Sequence, residues 1–239
     1  MFSVILCVNK DQEFLNDAIF SVLNQTYSDF EFIIVANNCE DELFNKLLGF
    51  EDPRIRLFRT AIGQLSFNLN YAINVAVGDY IVRIDADDVC MPDRLEMCSE
   101  FIGSDYDVVA FSCHYINDLG ETIGGRNLAN EKIENIFYRN PIVHPAVMFK
   151  RDSIVRAGGY LGGFQSEDYD LWIRLYNKGC RFYFSDKVAI EYRIHDSQTK
   201  GSLLPYCEVS GYFIREFLLS LKFKYLFSFF VSVFKRFKR

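Results

Sequence analysis

The 239-residue sequence predicts an α/β fold: a mixed, mostly parallel sheet flanked by helices, followed by an amphipathic helix. Up to about residue 113, short β-branched runs alternate with stretches of helical spacing. Strands separated by helices need right-handed crossovers, which make neighbouring strands parallel. With 50% hydrophobic and 24% charged residues, the composition is that of a soluble globular chain long enough to bury a core without staples.

The elements follow in order. Residues 4–8 form a buried apolar run that reads as the first strand, and Leu15, Ile19, Val22 and Leu23 recur at helical spacing behind it. Strands are expected over 30–36, 54–58 and 80–84, with helices over 40–49, 64–77 and 92–102. Beyond residue 113 the order is less regular. Asn117-Asp118-Leu119-Gly120 predicts a hairpin turn, residues 130–138 a helix and 146–150 a strand. A glycine-rich stretch at 158–164 precedes a helix over 167–178 and two strands at 181–185 and 189–194. No Ser-, Pro- or Gly-rich linker divides the chain, so 1–211 reads as one unit with halves at 1–113 and 114–211, and 212–239 as a tail.

The net charge of -6 is unevenly spread: residues 212–239 carry seven Lys or Arg and one Glu, which leaves a strongly acidic body. An acidic body argues against nucleic-acid binding, which depends on basic surface. In the tail, Glu216, Ser220, Lys224, Ser228, Ser232 and Arg236 recur every four residues, one polar stripe on an otherwise apolar helix. Its longest uncharged stretch, 225–234, is half of what a bilayer crossing needs. The tail is therefore expected to lie on a membrane surface, with Lys235, Arg236, Lys238 and Arg239 drawn to anionic headgroups; packing against the domain is the alternative. Seven scattered cysteines without a C-x-x-C pair suit a reducing compartment, and the first apolar run is too short for a signal-peptide core. The expected location is the cytoplasmic face of a membrane.

The chemistry concentrates where the strand at 80–84 runs into Asp85-Ala86-Asp87-Asp88. Ligands of open α/β sheets bind beyond the carboxyl ends of strands, and residues two apart on an extended chain point the same way. Asp85 and Asp87 thus form a pair of hard oxygen donors suited to Mg²⁺ or Mn²⁺ on a diphosphate, unless these acids merely favour the start of the next helix. Glu167 and Asp168 open a later helix; a carboxylate there is often a cap, but one facing the same cleft can take a proton from a hydroxyl. His195 follows the last strand and is a candidate further metal ligand through its neutral imidazole.

Five segments in order carry a resemblance: SVILCVNKDQEFLNDAIFSVLNQTYSDFEFIIVANN, LNYAINVAVGDYIVRIDADDVCMPDRL, NPIVHPAVMFKR, AGGYLGGF and SEDYDLWIRL. Over roughly residues 2–200 the chain resembles the family 2 glycosyltransferases of the GT-A fold. That resemblance implies inverting transfer of a sugar from a nucleotide-diphosphate donor, a UDP-sugar above all, to a hydroxyl of a saccharide or lipid-linked acceptor. It makes 1–113 the nucleotide-binding half and 114–211 the acceptor-binding half. It assigns Asp85, Ala86 and Asp87 to the metal and diphosphate, Asp168 to the base with Glu167 as its partner, and Val8 and Asn9 to the nucleotide. His144 and Trp172 fall on the acceptor side. One departure stands out: family members usually carry two acids after the second strand, where this chain has Ala36-Asn37-Asn38. The Asn37 amide can still accept from and donate to a base. Two other readings stay open at this level, a membrane-bound nucleotide-sugar-binding module without catalysis, and nucleotidyl transfer.

Overall fold

The computed structural model describes residues 1–195 and 203–236. Strand β1 (Phe2–Val8) is the pivot, parallel to β2 (Phe30–Asn37) on one side and to β4 (Tyr80–Arg83) on the other. β3 (Ile55–Thr60) adds to β2, also in parallel. Helices α1 (Leu15–Leu23), α2 (Asp41–Leu48) and α3 (Leu65–Val75) provide the crossovers, so the apolar runs of β1 and β2 are buried on both faces. The periodicity of the first half predicted each of these elements to within a residue or two.

Past β4 the sheet becomes mixed. β8 (Val147–Lys150) pairs antiparallel with both β4 and β6 (Val108–Ile116), and β9 (Phe182–Arg193) runs parallel to β6. The order is β3-β2-β1-β4-β8-β6-β9-β5, with β7 (Thr122–Arg126) hairpinned to β6 across the predicted turn. Asn117 Oδ1 accepts the amides of Leu119 and Glu121 at 3.0 and 2.9 Å, which closes that turn. The strands expected at 181–185 and 189–194 are one strand, irregular where it passes 185–188. Short β5 (Val89–Cys90) pairs with β9 just after the aspartate run, and α4 (Arg94–Ser99) starts two residues later than expected. The helix expected near 130–138 is a 3-10 turn, Ile133–Phe137, and α5 (Arg151–Arg156) follows β8.

The tail differs most from expectation. It folds as two helices, α7 (Leu204–Ser220) and α8 (Phe223–Arg236), which turn back on each other at Leu221, a non-glycine residue with φ of 54°. Their contacts run to α6 (Glu167–Asn177): Arg215 pairs with buried Asp170 at 2.7 Å, Asn177 donates to Glu216 at 2.7 Å, and Tyr225 donates to Asn177. Only part of the polar stripe faces inward, since Ser220 and Lys224 are exposed. Ser228 and Ser232 are buried and Ser232 bonds Ser210 at 2.7 Å, while Leu218, Leu219, Leu221, Phe223, Phe227, Phe230 and Phe234 are exposed. Lys238 and Arg239 lie outside the described residues. Among the described residues no helix is long and apolar enough to cross a membrane.

Candidate active site

The carboxyl ends of β1, β2 and β4 open onto one cleft of about 1010 Å³, lined by Asn9, Lys10, Asn37, Asp85, Ala86 and Asp87 on the sheet side and by Tyr115, Tyr192 and His195 opposite. Asn9 and Asn37 line this cleft beyond the carboxyl ends of β1 and β2, beside the β1/β4 switch point at which open α/β sheets place ligands. Val8 is buried at the end of β1; its neighbours Cys7 and Asn9 form the wall. Asn38 turns the chain with φ of 45° and lies against Gly63, where a Cβ would come within 3.3 Å of its side chain.

One oxygen from each of Asp85, Asp87 and Asp88 falls within 4.8 Å of the others. Asp88 was not singled out by the sequence pattern because it reads as the loop's third acid, yet it is fully buried. Its Oδ1 accepts the Arg193 amide at 2.9 Å and its Oδ2 has no protein partner. Burial, together with Asp85 and Asp87, raises the Asp88 carboxyl well above the usual range. A buried orphan oxygen inside a triad of carboxylates is the donor set a divalent cation satisfies. His195 Nε2 lies 2.9 Å from Asp87 Oδ2, so it meets the triad through Asp87. Arg193 braces the same loop: its Nε donates to the Asp87 carbonyl at 3.0 Å, and its guanidinium lies 3.9 Å from the centre of the Phe14 ring.

Arg83 links this triad to the second acidic group. It is 3% exposed, and both of its terminal nitrogens donate to the Asp85 carboxylate. Burial opposes its charge, but Asp85, Tyr160 and Glu167 outweigh that and hold the guanidinium protonated. Burial raises Glu167 to about 7, with Asp168 adding to the effect and Arg83 opposing it. Burial also raises Asp168, against hydrogen bonds from Asn140 (2.7 Å) and the Tyr169 amide (2.8 Å), the charge of Arg83 and the Trp172 indole. The charge of Arg83 therefore acts on both acidic clusters, which are 79 residues apart at the nearest. A lone arginine inside the apolar run of β4 was the signal that could have found it.

Other side chains fix this arrangement. Arg94 donates to the carbonyls of Arg83 (2.8 Å) and Pro145 (2.7 Å), which ties the end of β4 to the His144 turn. His144 Nε2 lies 2.8 Å from the Tyr160 hydroxyl and Nδ1 lies 4.0 Å from Glu167; burial, then Arg83, lowers its pKa well below the usual value, so the ring is neutral. Trp172 presents no surface. It packs beside His144 and Phe149, and its connection to the site runs through His144 and Asp168. Glu208 of α7 accepts the amides of Phe164 (2.7 Å) and Gln165 (3.2 Å) and the Ser166 hydroxyl (2.6 Å), so α7 holds the loop that delivers Glu167 and Asp168. Gly163 sits beneath it at φ 91°, where a Cβ would lie 2.5 Å from the Tyr212 hydroxyl.

A second cavity, of about 290 Å³, is lined by Asp168, which does not line the larger cleft. Asn140, Tyr206, Val231, Arg139 and Lys235 are among its walls.

Comparison with known proteins gives the family and the fold. The chain is 41% identical over 226 residues to the O-antigen biosynthesis glycosyltransferase WbnJ of Escherichia coli, covering 91% of this chain and 89% of that one. It is 26% identical over 210 residues, 83% of this chain and 76% of that one, to an E. coli enzyme named UDP-Gal:alpha-D-GlcNAc-diphosphoundecaprenol beta-1,3-galactosyltransferase. Its fold matches the crystal structure of S. aureus TarS 1–349 in complex with UDP-GlcNAc, with a TM-score of 0.73 over 90% of this chain and 66% of that one at 16% identity. The fold is thus the GT-A fold that the resemblance implied. The Glycosyl transferase family 2 model matches residues 3–156, and the chain belongs to that family of enzymes.

Proposed function

We propose that the enzyme transfers a sugar, with inversion, from a UDP-sugar to a hydroxyl of a lipid-linked or polysaccharide acceptor in the assembly of a bacterial surface polysaccharide. The observation that carries this reading is the triad of Asp85, Asp87 and Asp88 at the carboxyl end of β4, beside which buried Arg83 hydrogen-bonds Asp85 and acts by its charge on Glu167 and Asp168. The names of the two E. coli relatives support the pathway and the acceptor class.

The donor fits the larger cleft, with Asn9 and Asn37 toward the nucleotide and the Asp85-Ala86-Asp87 turn toward its diphosphate. Asp85, Asp87 and Asp88 would hold Mn²⁺ or Mg²⁺, which supplies positive charge to the departing diphosphate. Asp168, held by Asn140 and exposed to the smaller cavity, takes the proton of the attacking hydroxyl. Glu167, paired with neutral His144, keeps a second charge balanced around Arg83. Burial raises both acids, which moves the base toward the pH at which proton transfer is effective.

The exposed apolar edge of α7 and α8, flanked by Lys222 and Lys235, supports peripheral attachment to the cytoplasmic face of a membrane. A screen of nucleotide sugars with Mn²⁺ and lipid-linked saccharide acceptors tests the reading. Release of UDP with a new glycoside is expected. Pyrophosphate as product would assign nucleotidyl transfer instead, and UDP binding without any release would assign a binding module.

A further inference from the structure

The smaller cavity lies between the 3-10 turn at Ile133–Phe137, the start of α6 and the α7–α8 hairpin. Its more buried lining includes Asp168 and Asn140; its exposed lining includes Tyr138, Arg139 and Lys235. An acceptor hydroxyl held in this space can come within reach of the Asp168 carboxylate.

Two features of the cavity concern charge. Lys235 is in no salt bridge among the described residues; its amine donates to the Tyr138 carbonyl, and burial, then the charge of Arg139, lowers its pKa. Arg139 pairs with Glu131 at 2.9 Å, yet its side chain remains half exposed. Apart from Asp168 the lining holds no carboxylate, so the outer part of the cavity carries excess positive charge. Tyr138, whose carbonyl receives Lys235, also packs its ring against Phe227 at 6.1 Å. Phe227 begins the exposed row that continues through Phe230 and Phe234, at helical spacing on one face of α8.

A hydroxyl-accepting carboxylate, an anion-seeking pair of cations and an apolar row thus follow one another outward. We propose that this cavity is the acceptor site, and that Lys235, with Arg139, binds the phosphate or diphosphate joining the acceptor saccharide to its lipid, the lipid lying along Phe227, Phe230 and Phe234. The assignment rests on Asp168 being the base, as proposed above. The ligand is a saccharide carried on a phosphorylated lipid, recognised at sugar, phosphate and chain; charge-assisted hydrogen bonds from two cations suit a diphosphate better than a single dispersed anion.

Binding of three soluble amphiphiles tests this by calorimetry, on the full chain with UDP and Mn²⁺ present to occupy the donor cleft: decyl diphosphate, decyl sulfate and decyl glucoside, each below its micelle concentration. Decyl diphosphate is expected to bind at least about tenfold more tightly than either other probe. Lys235→Ala should weaken decyl diphosphate about tenfold and decyl glucoside less than about twofold, and Lys235→Arg should retain most of the affinity. An unchanged affinity of Lys235→Ala for decyl diphosphate overturns the inference. So does an equal loss for decyl sulfate, which would mark a general anionic surface, or a wild-type chain that does not distinguish the probes. UDP binding, read in a separate titration, and transfer by Asp168→Asn report on the donor and base independently, so their failure is distinguishable from failure at Lys235.

Discussion

Arg83 carries the charge balance of the site, because it is buried, hydrogen-bonds half-buried Asp85 and acts by its charge on buried Glu167. Arg83→Met leaves those carboxylates without their cation; removing one partner of a fully buried ion pair costs about 3–5 kcal/mol, and the exposure of Asp85 lowers that here. We therefore expect a fall in Tm that is larger at pH 8 than at pH 5, and loss of transfer activity. Glu167 has the opposite effect on stability. Its pKa is raised to about 7 in the folded chain, so folding favours the protonated form, and the stability this gives below the ordinary carboxylate range is lost as pH rises toward 7. Glu167→Gln mimics the protonated group, so its Tm relative to wild type should rise between pH 5 and pH 8, by at most about 3 kcal/mol of stability. No change in that difference with pH would contradict the burial that raises Glu167. Asp85, Asp87, Glu167 and Asp168 stand out in the sequence because acids at the ends of apolar elements have few structural reasons to be there. Arg83 was signalled only by its charge inside an apolar strand, and Asp88 and Arg94 not at all, since their importance comes from which strands become neighbours, and sequence spacing does not carry that.

At the scale of elements, α7 has two tasks: it packs on α6 and it holds the loop before Asp168 through Glu208. Glu208→Ala frees two amides and the Ser166 hydroxyl, and displacing a base by about 1 Å is worth up to about a hundredfold in rate. A fall in kcat of ten- to a hundredfold, as an order-of-magnitude estimate, is expected with little change in donor KM. Leu221 ends α7 in the left-handed region while its side chain is exposed, so it bears strain without burial in return. Leu221→Gly should raise stability by about 1 kcal/mol, seen as a higher Tm. That turn also explains why one helix was read where two exist: nothing in Ser220-Leu221-Lys222 is a sequence signal for a break, and the four-residue stripe runs through it unbroken. In the first half, by contrast, β1, β2 and β4 are buried on both faces and their continuous apolar runs are readable without knowing their partners. Short β5 is held by its pairing with β9, a contact that local pattern does not encode.

Across the whole molecule, the last two helices form part of the domain and also present an apolar edge. Ser228, Ser232, Val209 and Phe213 pack inward, while Leu218, Leu219, Phe223, Phe227, Phe230 and Phe234 point out. Truncation before residue 212 is therefore expected to destabilise the enzyme, since it removes Arg215 and Tyr225 from α6, whereas Phe227→Ser, Phe230→Ser and Phe234→Ser together should leave the fold intact and reduce flotation with anionic vesicles. Unchanged flotation of the triple variant would contradict attachment through this edge. The GT-A architecture was legible through the five ordered segments, while the mixed half around β6, β8 and β9 depends on long-range pairing. The proposed reaction rests on separate duties for the two acidic groups. The most direct measurement compares Asp87→Asn and Asp168→Asn in UDP binding with Mn²⁺ and in single-turnover transfer. Asp168→Asn should bind UDP as wild type does and transfer at least about a hundredfold more slowly, while Asp87→Asn should lose metal-dependent UDP binding. Near wild-type transfer by Asp168→Asn would contradict the division of roles between donor and acceptor carboxylates.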